Sequence, residues 1–134
     1  WVSYLRGLSA ESPGKKRYVQ FLRREFDDSI DELNRVFRCR AASFDELLAS
    51  DLDGLELLRP DVRRTDQAFL GVIADRIYSV AARAFRRHDR HALLLGEKFK
   101  SHDHPAPVLA AAAKYTDVIS IQDCPSFSFP FGCY

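Results

Sequence analysis

The stretch HALLLGEKF, from His91 to Phe99, and the stretch DVISIQD, from Asp117 to Asp123, decide the fold that the sequence predicts. Both are short apolar runs bounded by polar residues, and neither alternates cleanly between apolar and polar residues. Continuous apolar runs are typical of parallel strands that are covered on both faces. The alanine-rich segment between the two runs, PAPVLAAAAKYT, predicts a helix. Strand, helix and strand in this order predict a βαβ unit with two parallel strands.

The sequence before His91 predicts helices with recognisable start signals. Pro13 follows Ser12 at the start of an amphipathic segment, a position at which the missing N–H of proline costs little. Asp28 or Ser29 is expected to cap the next helix. SFDELLAS begins with a capping box, in which Ser43 accepts from the backbone of Glu46 and the glutamate reaches back.

A long helix is predicted from Asp61 to about His88, with arginines in its last turn that suit the negative end of the helix dipole. An anion site at that basic end is the less favoured interpretation. We expect the helix to bury one apolar stripe, which comprises Val62, Phe69, Val72, Ile73, Ile77, Val80, Ala81 and Ala84.

Composition sets further bounds. The chain has 134 residues, of which 46% are hydrophobic and 29% charged, and a formal net charge of +1. This balance provides no field that would attract a phosphate backbone, so nucleic-acid binding is disfavoured. No apolar run approaches the roughly 20 residues of a membrane-spanning helix, and no signal peptide is visible. The three cysteines form no C-x-x-C pair and do not fix the compartment.

Two parallel strands cannot cover their own faces and edges, so the predicted βαβ unit needs further strands. The sequence offers only SFSFPF, residues 126–131, as a weak third candidate. It also contains no methionine, and its aromatic-rich end, CPSFSFPFGCY, carries no capping element. We therefore expect an internal segment of a larger α/β domain, with the remaining strands in absent sequence or in another chain.

Three motifs in order resemble barrel glycoside hydrolases of the β-agarase and β-galactosidase type. The segment 17–51 is similar to the family pattern I-x-x-L-N-x-x-[WF] followed by S-[FW]-x-[ED], through Ile30, Leu33, Asn34, Phe37 and then Ser43 to Glu46. The segment 86–99 is similar to D-P-N-H-L-x-L-G-x-R-[FY], although Arg90 replaces the proline and asparagine and Lys98 stands for the arginine. AAAKYTDVISIQDCP is similar to the next strand, A-x-x-Y-x-D-V-[IVL]-S-[VIF]-[NQ].

The resemblance implies an α/β fold, a partial (β/α)8 (TIM) barrel that is mostly helical with two parallel strands in the last third. Residues 1–134 would form one partial barrel domain, with 1–90 as the helical segment after the fourth barrel strand. Residues 91–134 would be the strand-helix-strand unit and an irregular tail. The family places its two catalytic glutamates on the fourth and seventh strands, neither of which is identifiable here, so the chain alone is expected to be inactive.

Active sites of such barrels lie at the carboxyl ends of the strands. Glu97 and Lys98 hold that position on the first strand, and Gln122 and Asp123 on the second, so we expect these four residues to bind substrate. In the alternative, one residue of each pair points into helix packing or solvent. A catalytic pair of Glu97 and Asp123 is the least favoured interpretation, because retaining chemistry also needs an opposed approach to the sugar.

The motif HDH, His102 to His104, supplies two imidazoles at most, whereas zinc sites need three or four convergent ligands. A solvated loop is favoured and no metal or cofactor is expected. Asp89 and His91 are expected to cap the helix exit, and Asp117 to fix the turn into the second strand. The predicted function is therefore part of a glycosidase with a carbohydrate substrate. The alternative is a non-catalytic helical module that docks on a partner protein.

Overall fold

The computed structural model describes residues 2–52, 59–100 and 104–122. They form six helices, α1 (Val2–Arg6), α2 (Pro13–Glu25), α3 (Ile30–Phe37), α4 (Phe44–Ala49), α5 (Pro60–His88) and α6 (Ala106–Tyr115). Two-residue strands β1 (Phe99–Lys100) and β2 (Ile121–Gln122) flank α6. The chain divides into two compact units, Trp1–Leu70 and Gly71–Tyr134, so α5 contributes its beginning to the first unit and its remainder to the second. Within the described ranges no helix is long and apolar enough to cross a membrane.

The predicted helix starts are largely confirmed. Ser29 Oγ accepts from the backbone N–H of Glu32 at 3.3 Å, and Ser43 Oγ accepts from that of Glu46 at 3.1 Å. The carboxylate of Glu46 reaches back one residue further than expected, to the backbone N–H of Ala42 at 2.6 Å. Ser12 makes no side-chain capping bond, although Pro13 does begin α2. Local capping chemistry thus fixes where these helices begin.

The first unit buries one apolar core contributed by α2, α3, α4 and the start of α5. Tyr18 and Phe69 meet edge to face with ring centroids 5.0 Å apart, and Phe26 meets Phe37 at 5.9 Å. Such pairs add to the free energy gained from burial alone. The other buried side chains of this core include Val19, Leu22, Leu33, Phe44, Leu47, Leu52 and Val62.

A buried polar network lies within the first unit. Arg6 is fully buried and forms an ion pair with Asp66 on α5. Its Nε donates to the hydroxyl of Tyr18 at 3.3 Å, and that hydroxyl donates to Asp66 Oδ1 at 2.9 Å. Because a buried charge must be paired to be tolerated, these bonds tie α1 and α2 to the start of α5.

The second unit packs α5 against α6. Its core cluster consists of Ala74, Tyr78, Phe99, Ala111 and Ala112. The alanines let the helices approach closely, and at Gly71 an added Cβ would lie 2.7 Å from Pro107 Cβ. The alanine-rich segment thus forms the helix that the sequence predicts, and its small residues allow close packing on α5.

The predicted partial TIM barrel with two parallel strands in the last third is wrong. The described residues are mostly helical, and their extended segments pair only over two residues, Phe99 with Ile121 and Lys100 with Gln122, in parallel. Upstream, the backbone groups of Leu94 bond to Asp117 and not to a neighbouring strand. The N–H of Leu94 donates to Asp117 Oδ2 at 2.7 Å, and the N–H of Asp117 donates to the carbonyl of Leu94 at 2.9 Å. Gly96, with φ of 68°, then interrupts the extended backbone. A β-ladder therefore does not propagate along the leucine run.

The predicted buried stripe of α5 is wrong for the second half of that helix. Val62 and Phe69 are buried as expected, but Ile77 is 60% exposed and Val80 is 44% exposed. The buried positions there are instead Ala74, Tyr78, Ser79 and Ala82. The packed face is thus the one with small residues and a tyrosine, because small side chains admit α6 at close range.

Candidate functional site

The candidate site lies where the predicted substrate residues follow the leucine run, at Gly96, Glu97 and Lys98. Gly96 has φ of 68°, in the left-handed region that favours glycine. A Cβ at this position would lie 2.9 Å from Thr116 Cγ2. Glycine is therefore required here by both backbone conformation and space, and it sets the direction in which the next two residues leave the loop.

Glu97 is exposed, and its carboxylate accepts a hydrogen bond from the hydroxyl of Tyr78 on α5. Tyr78 is itself only 8% exposed. Burial, together with the bond to Glu97, raises the pKa of Tyr78, so the phenol stays protonated and keeps donating. One carboxylate oxygen of Glu97 is thus directed to α5. This contact corresponds to the alternative in which one residue of the pair Glu97 and Lys98 points toward a helix.

Lys98 is exposed, and its ammonium group makes no hydrogen bond or ion pair within the described residues. Its neighbour Phe99 is 3% exposed, in the core. Gln122 aligns with Lys100 in the parallel pair, which brings the ends of both predicted strands to the same place. Asp123 lies outside the described residues.

The turns that lead into the site are held by two aspartates. Asp89 Oδ1 accepts from the backbone N–H of His91 at 2.8 Å and of Ala92 at 2.9 Å, so Asp89 holds the turn that follows α5 and does not cap the last carbonyls of that helix. Asp117 accepts from the backbone of Leu94 and from the guanidinium of Arg86, which confirms its predicted role in the turn. These bonds lower the pKa of both carboxyl groups.

Of the histidine motif, only His104 lies within the described residues, and this side chain is not fully solvated as the predicted loop would have it. His104 is half-buried, and its ring meets Phe99 edge to face with centroids 4.7 Å apart. Its Nε2 is buried and has no hydrogen-bond partner among the residues that the structure describes. His102 and Asp103 lie outside the described residues, and no cluster of three metal-ligating side chains occurs in the part of the chain that the structure describes.

Two residues that shape the site were missed from the sequence. Tyr78 holds Glu97, and Arg86 binds Asp117 and donates to the carbonyl of Ala92 at 2.7 Å. The spacing of Ala74, Tyr78 and Ala82 at every fourth residue was an available signal for a buried face of α5. This signal was overlooked because the neighbouring Val and Ile residues are more hydrophobic and therefore predicted a different buried face.

No family model and no curated protein matches the chain significantly. Several solved structures are similar to it, including two agarases and PfGH50B. An exo-beta-agarase has a TM-score of 0.74 at 26% identity over 87% of this chain. PfGH50B has a TM-score of 0.75 at 25% identity over 87% of this chain. The agarase AgWH50C has a TM-score of 0.78 at 26% identity over 90% of this chain.

This chain corresponds to only a small part of those proteins, 16% of the exo-beta-agarase chain and 17% of each of the other two. At 25–26% identity over 87–90% of its length, the likeness concerns sequence as well as shape. The chain is thus similar in sequence and fold to part of two agarases and of PfGH50B.

Proposed function

We propose that this chain is a segment of a glycoside hydrolase that cleaves O-glycosidic bonds in a β-galactoside or agar-like saccharide. The observation that carries the proposal is the likeness to two agarases and PfGH50B across 87–90% of the chain. The three motifs of the sequence, which occur in the expected order, support the same enzyme class. Both the structural likeness and the motifs concern the region of those proteins that aligns with this chain.

The proposed role of the segment is to contact the substrate rather than to supply the catalytic pair. Lys98 is the strongest contact residue, because its ammonium group is exposed and has no partner in the described ranges, so it is available to donate to sugar hydroxyls. Glu97 is exposed too, and its second oxygen can accept from a sugar while the first is held by Tyr78. Gln122 and Asp123 complete the proposed set.

Hydrolysis of a glycosidic bond ordinarily needs two carboxyl groups, one that protonates the leaving oxygen and one that acts as nucleophile or base. Glu97 is assigned neither role, since the family that the sequence resembles has its two catalytic glutamates on segments that are not identifiable in this chain. We therefore assign both catalytic carboxylates to polypeptide other than this chain. A further polypeptide would also cover the apolar side chains of Leu93, Leu95 and Ile121, which are 65%, 51% and 61% exposed.

A chimera tests the proposal. The segment of the exo-beta-agarase that matches this chain is replaced by this chain, and the release of reducing sugar from agarose is measured. We expect a folded chimera with measurable hydrolysis. Lys98→Ala in the chimera should raise KM by about 2- to 10-fold and change kcat less, as expected for the loss of one hydrogen bond to substrate.

Lys16→Ala is the matched control, since Lys16 is an exposed lysine whose ammonium group pairs with Glu11 at 2.8 Å, far from the site in sequence. It should leave KM unchanged. A chimera that melts cooperatively but releases no sugar would refute the glycosidase assignment. Equal kinetics for the Lys98 and Lys16 variants would refute the substrate contact while leaving the enzyme class intact.

A further inference from the structure

The second half of α5 has an apolar face that the described part of the chain covers only in part, at Ile73. Ile73, Ile77, Val80 and Ala84 follow one another at spacings of four, three and four residues, so they form one stripe along the helix. Ile77 and Val80 are 60% and 44% exposed, and Ala84 is exposed. The stripe lies away from Ala74, Tyr78 and Ala82, which face the core of the second unit. This helix therefore has two apolar faces, of which one is packed and the other is covered only in part.

A row of three arginines borders the stripe. Arg76, Arg83 and Arg87 are spaced by seven and four residues, which places them on one line beside it. All three are exposed, and no guanidinium among them has a hydrogen bond or ion pair within the described ranges. Arg86, one position away, is by contrast paired with Asp117. Three exposed arginines along one border of an apolar stripe favour a partner that carries negative charge.

We propose that this face, the α5 outer face formed by the four apolar residues and the three arginines, binds an amphipathic helix of another polypeptide whose apolar stripe is bordered by carboxylates. The four-three-four spacing is the pattern by which one helix packs along another. Val, Ile and Ala give a shallow surface, and Ala84 lets a second helix come close. The arginines select carboxylates, because opposite charges steer encounter and fix orientation.

A second copy of this chain fits the face less well. Two copies of α5 that meet antiparallel across their stripes bring like borders together, so the two arginine rows would repel each other. An anionic membrane surface also fits less well. Helices that lie in the membrane interface bury Trp, Phe or Leu, and the stripe contains none of these.

The test uses the full chain and two synthetic helical peptides with the same leucine stripe. One peptide carries glutamates beside the stripe and the other carries lysines at the same positions. Fluorescence anisotropy should show at least about tenfold tighter binding of the glutamate peptide, with affinity falling as salt rises. The variant R83E/R87E should reverse the preference, and Ile77→Asp should abolish binding of both peptides.

Leu95→Asp is the matched control, because Leu95 is 51% exposed in the same unit but outside the α5 outer face, and it should bind as the original chain does. Circular dichroism checks that each variant keeps its helices. Equal affinity for the two peptides, or no binding of either, overturns the proposal. So does self-association in sedimentation that Ile77→Asp removes, or binding to phosphatidylserine vesicles that exceeds binding to the glutamate peptide. None of these outcomes bears on the glycosidase proposal.

Discussion

The hydroxyl of Tyr78 donates to the carboxylate of Glu97, and this bond joins the core of the second unit to the candidate site. The donor is buried and the acceptor is exposed. The orientation of an exposed carboxylate is therefore set from inside the molecule. Any substrate contact made by Glu97 depends on a residue that the substrate does not touch.

Tyr78→Phe should lower the free energy of unfolding by about 1 kcal/mol, since one hydrogen bond is lost while the exposed Glu97 regains water. Urea denaturation at low protein concentration measures the change. Tyr4→Phe is the control, because Tyr4 is 68% exposed and should change stability by less than about 0.5 kcal/mol. Equal stability of the two variants would mean that the Tyr78 bond contributes nothing.

Gly96→Ala should destabilise the protein by about 1–2 kcal/mol from backbone strain alone, because the residue has a positive φ of 68°. A further penalty should come from the new Cβ, which would lie 2.9 Å from Thr116 Cγ2. Thr116→Ser removes that methyl group but keeps the hydroxyl that donates to the carbonyl of Ala112 at 2.9 Å.

The double variant G96A/T116S separates the two causes. It should recover the steric part of the loss and leave the part due to φ, so the two substitutions are non-additive in a double-mutant cycle. Unfolding free energies of all four proteins provide the measurement. Strict additivity would show that the methyl group of Thr116 does not restrict the space available to a side chain at position 96.

Asp117 should make stability depend on acid pH. The hydrogen bond from the backbone N–H of Leu94 lowers the pKa of Asp117 below its ordinary value of 3.8, and the hydrogen bond from Arg86 lowers it further. A lowered carboxyl pKa contributes stability that is present above pH 3.8 and is lost as pH falls through the lower folded value. Asp117→Asn should therefore be less stable than the original chain at neutral pH, with a difference that shrinks below about pH 4.

Urea denaturation between pH 2.5 and 8 checks this expectation. From about pH 5 to 8 the difference between the two proteins should stay constant, because the carboxyl group is ionised in both folded and unfolded states. A difference that persists unchanged at the acid end would show that the bonds of Asp117 do not require its charge.

The helices could be predicted from sequence because their determinants are local. Ser29 and Ser43 cap helices through backbone groups three residues away, and Pro60 begins α5 within one residue of the expected start. The strands could not be predicted in the same way, because an apolar run forms a strand only where a neighbouring strand pairs with its backbone N–H and C=O groups. At Leu94 a carboxylate from Asp117 takes that bond instead.

The sequence could single out Glu97 and Lys98 as candidate site residues but could not predict their contacts. Glu97 and Lys98 were identified because they follow an apolar run and a glycine. The bond from Tyr78 spans 19 residues of sequence and depends on how α5 turns its faces. That rotation was misjudged because hydrophobicity favoured Ile77 and Val80 over Ala74 and Ala82, although close helix packing prefers the smaller side chains.

The exposed apolar side chains of the second unit should limit solubility rather than support stability. Leu93 and Ile121 are 65% and 61% exposed, so replacing both by serine should raise solubility and change the free energy of unfolding by less than about 0.5 kcal/mol. Phe99→Ala is the contrasting variant, since Phe99 is 3% exposed and its loss should cost about 3–5 kcal/mol. A comparable loss from the serine variant would show that these side chains are packed in solution.

Tyr18 should make stability depend on alkaline pH. Burial first, with the neighbouring Asp66 carboxylate adding to it, raises the pKa of Tyr18 above its ordinary value of 10.0 despite the opposing effect of Arg6. Below pH 10.0 the phenol is neutral in both states, and its contribution to stability is fully present. Above that pH the unfolded chain loses the proton first, so the contribution is lost as pH rises toward the folded pKa.

Tyr18→Phe should therefore be less stable than the original chain by a constant amount from about pH 7 to 9, since the phenol carries no charge there. That difference should narrow by about 1 kcal/mol between pH 10 and 11, because the ionised fraction of this phenol in the unfolded chain rises from about one half to about nine tenths over that range. Unfolding in urea at each pH measures both proteins side by side. If the difference stayed constant up to pH 11, the hydroxyl of Tyr18 would ionise equally in both states. The buried network with Arg6 and Asp66 would then not be closed to water.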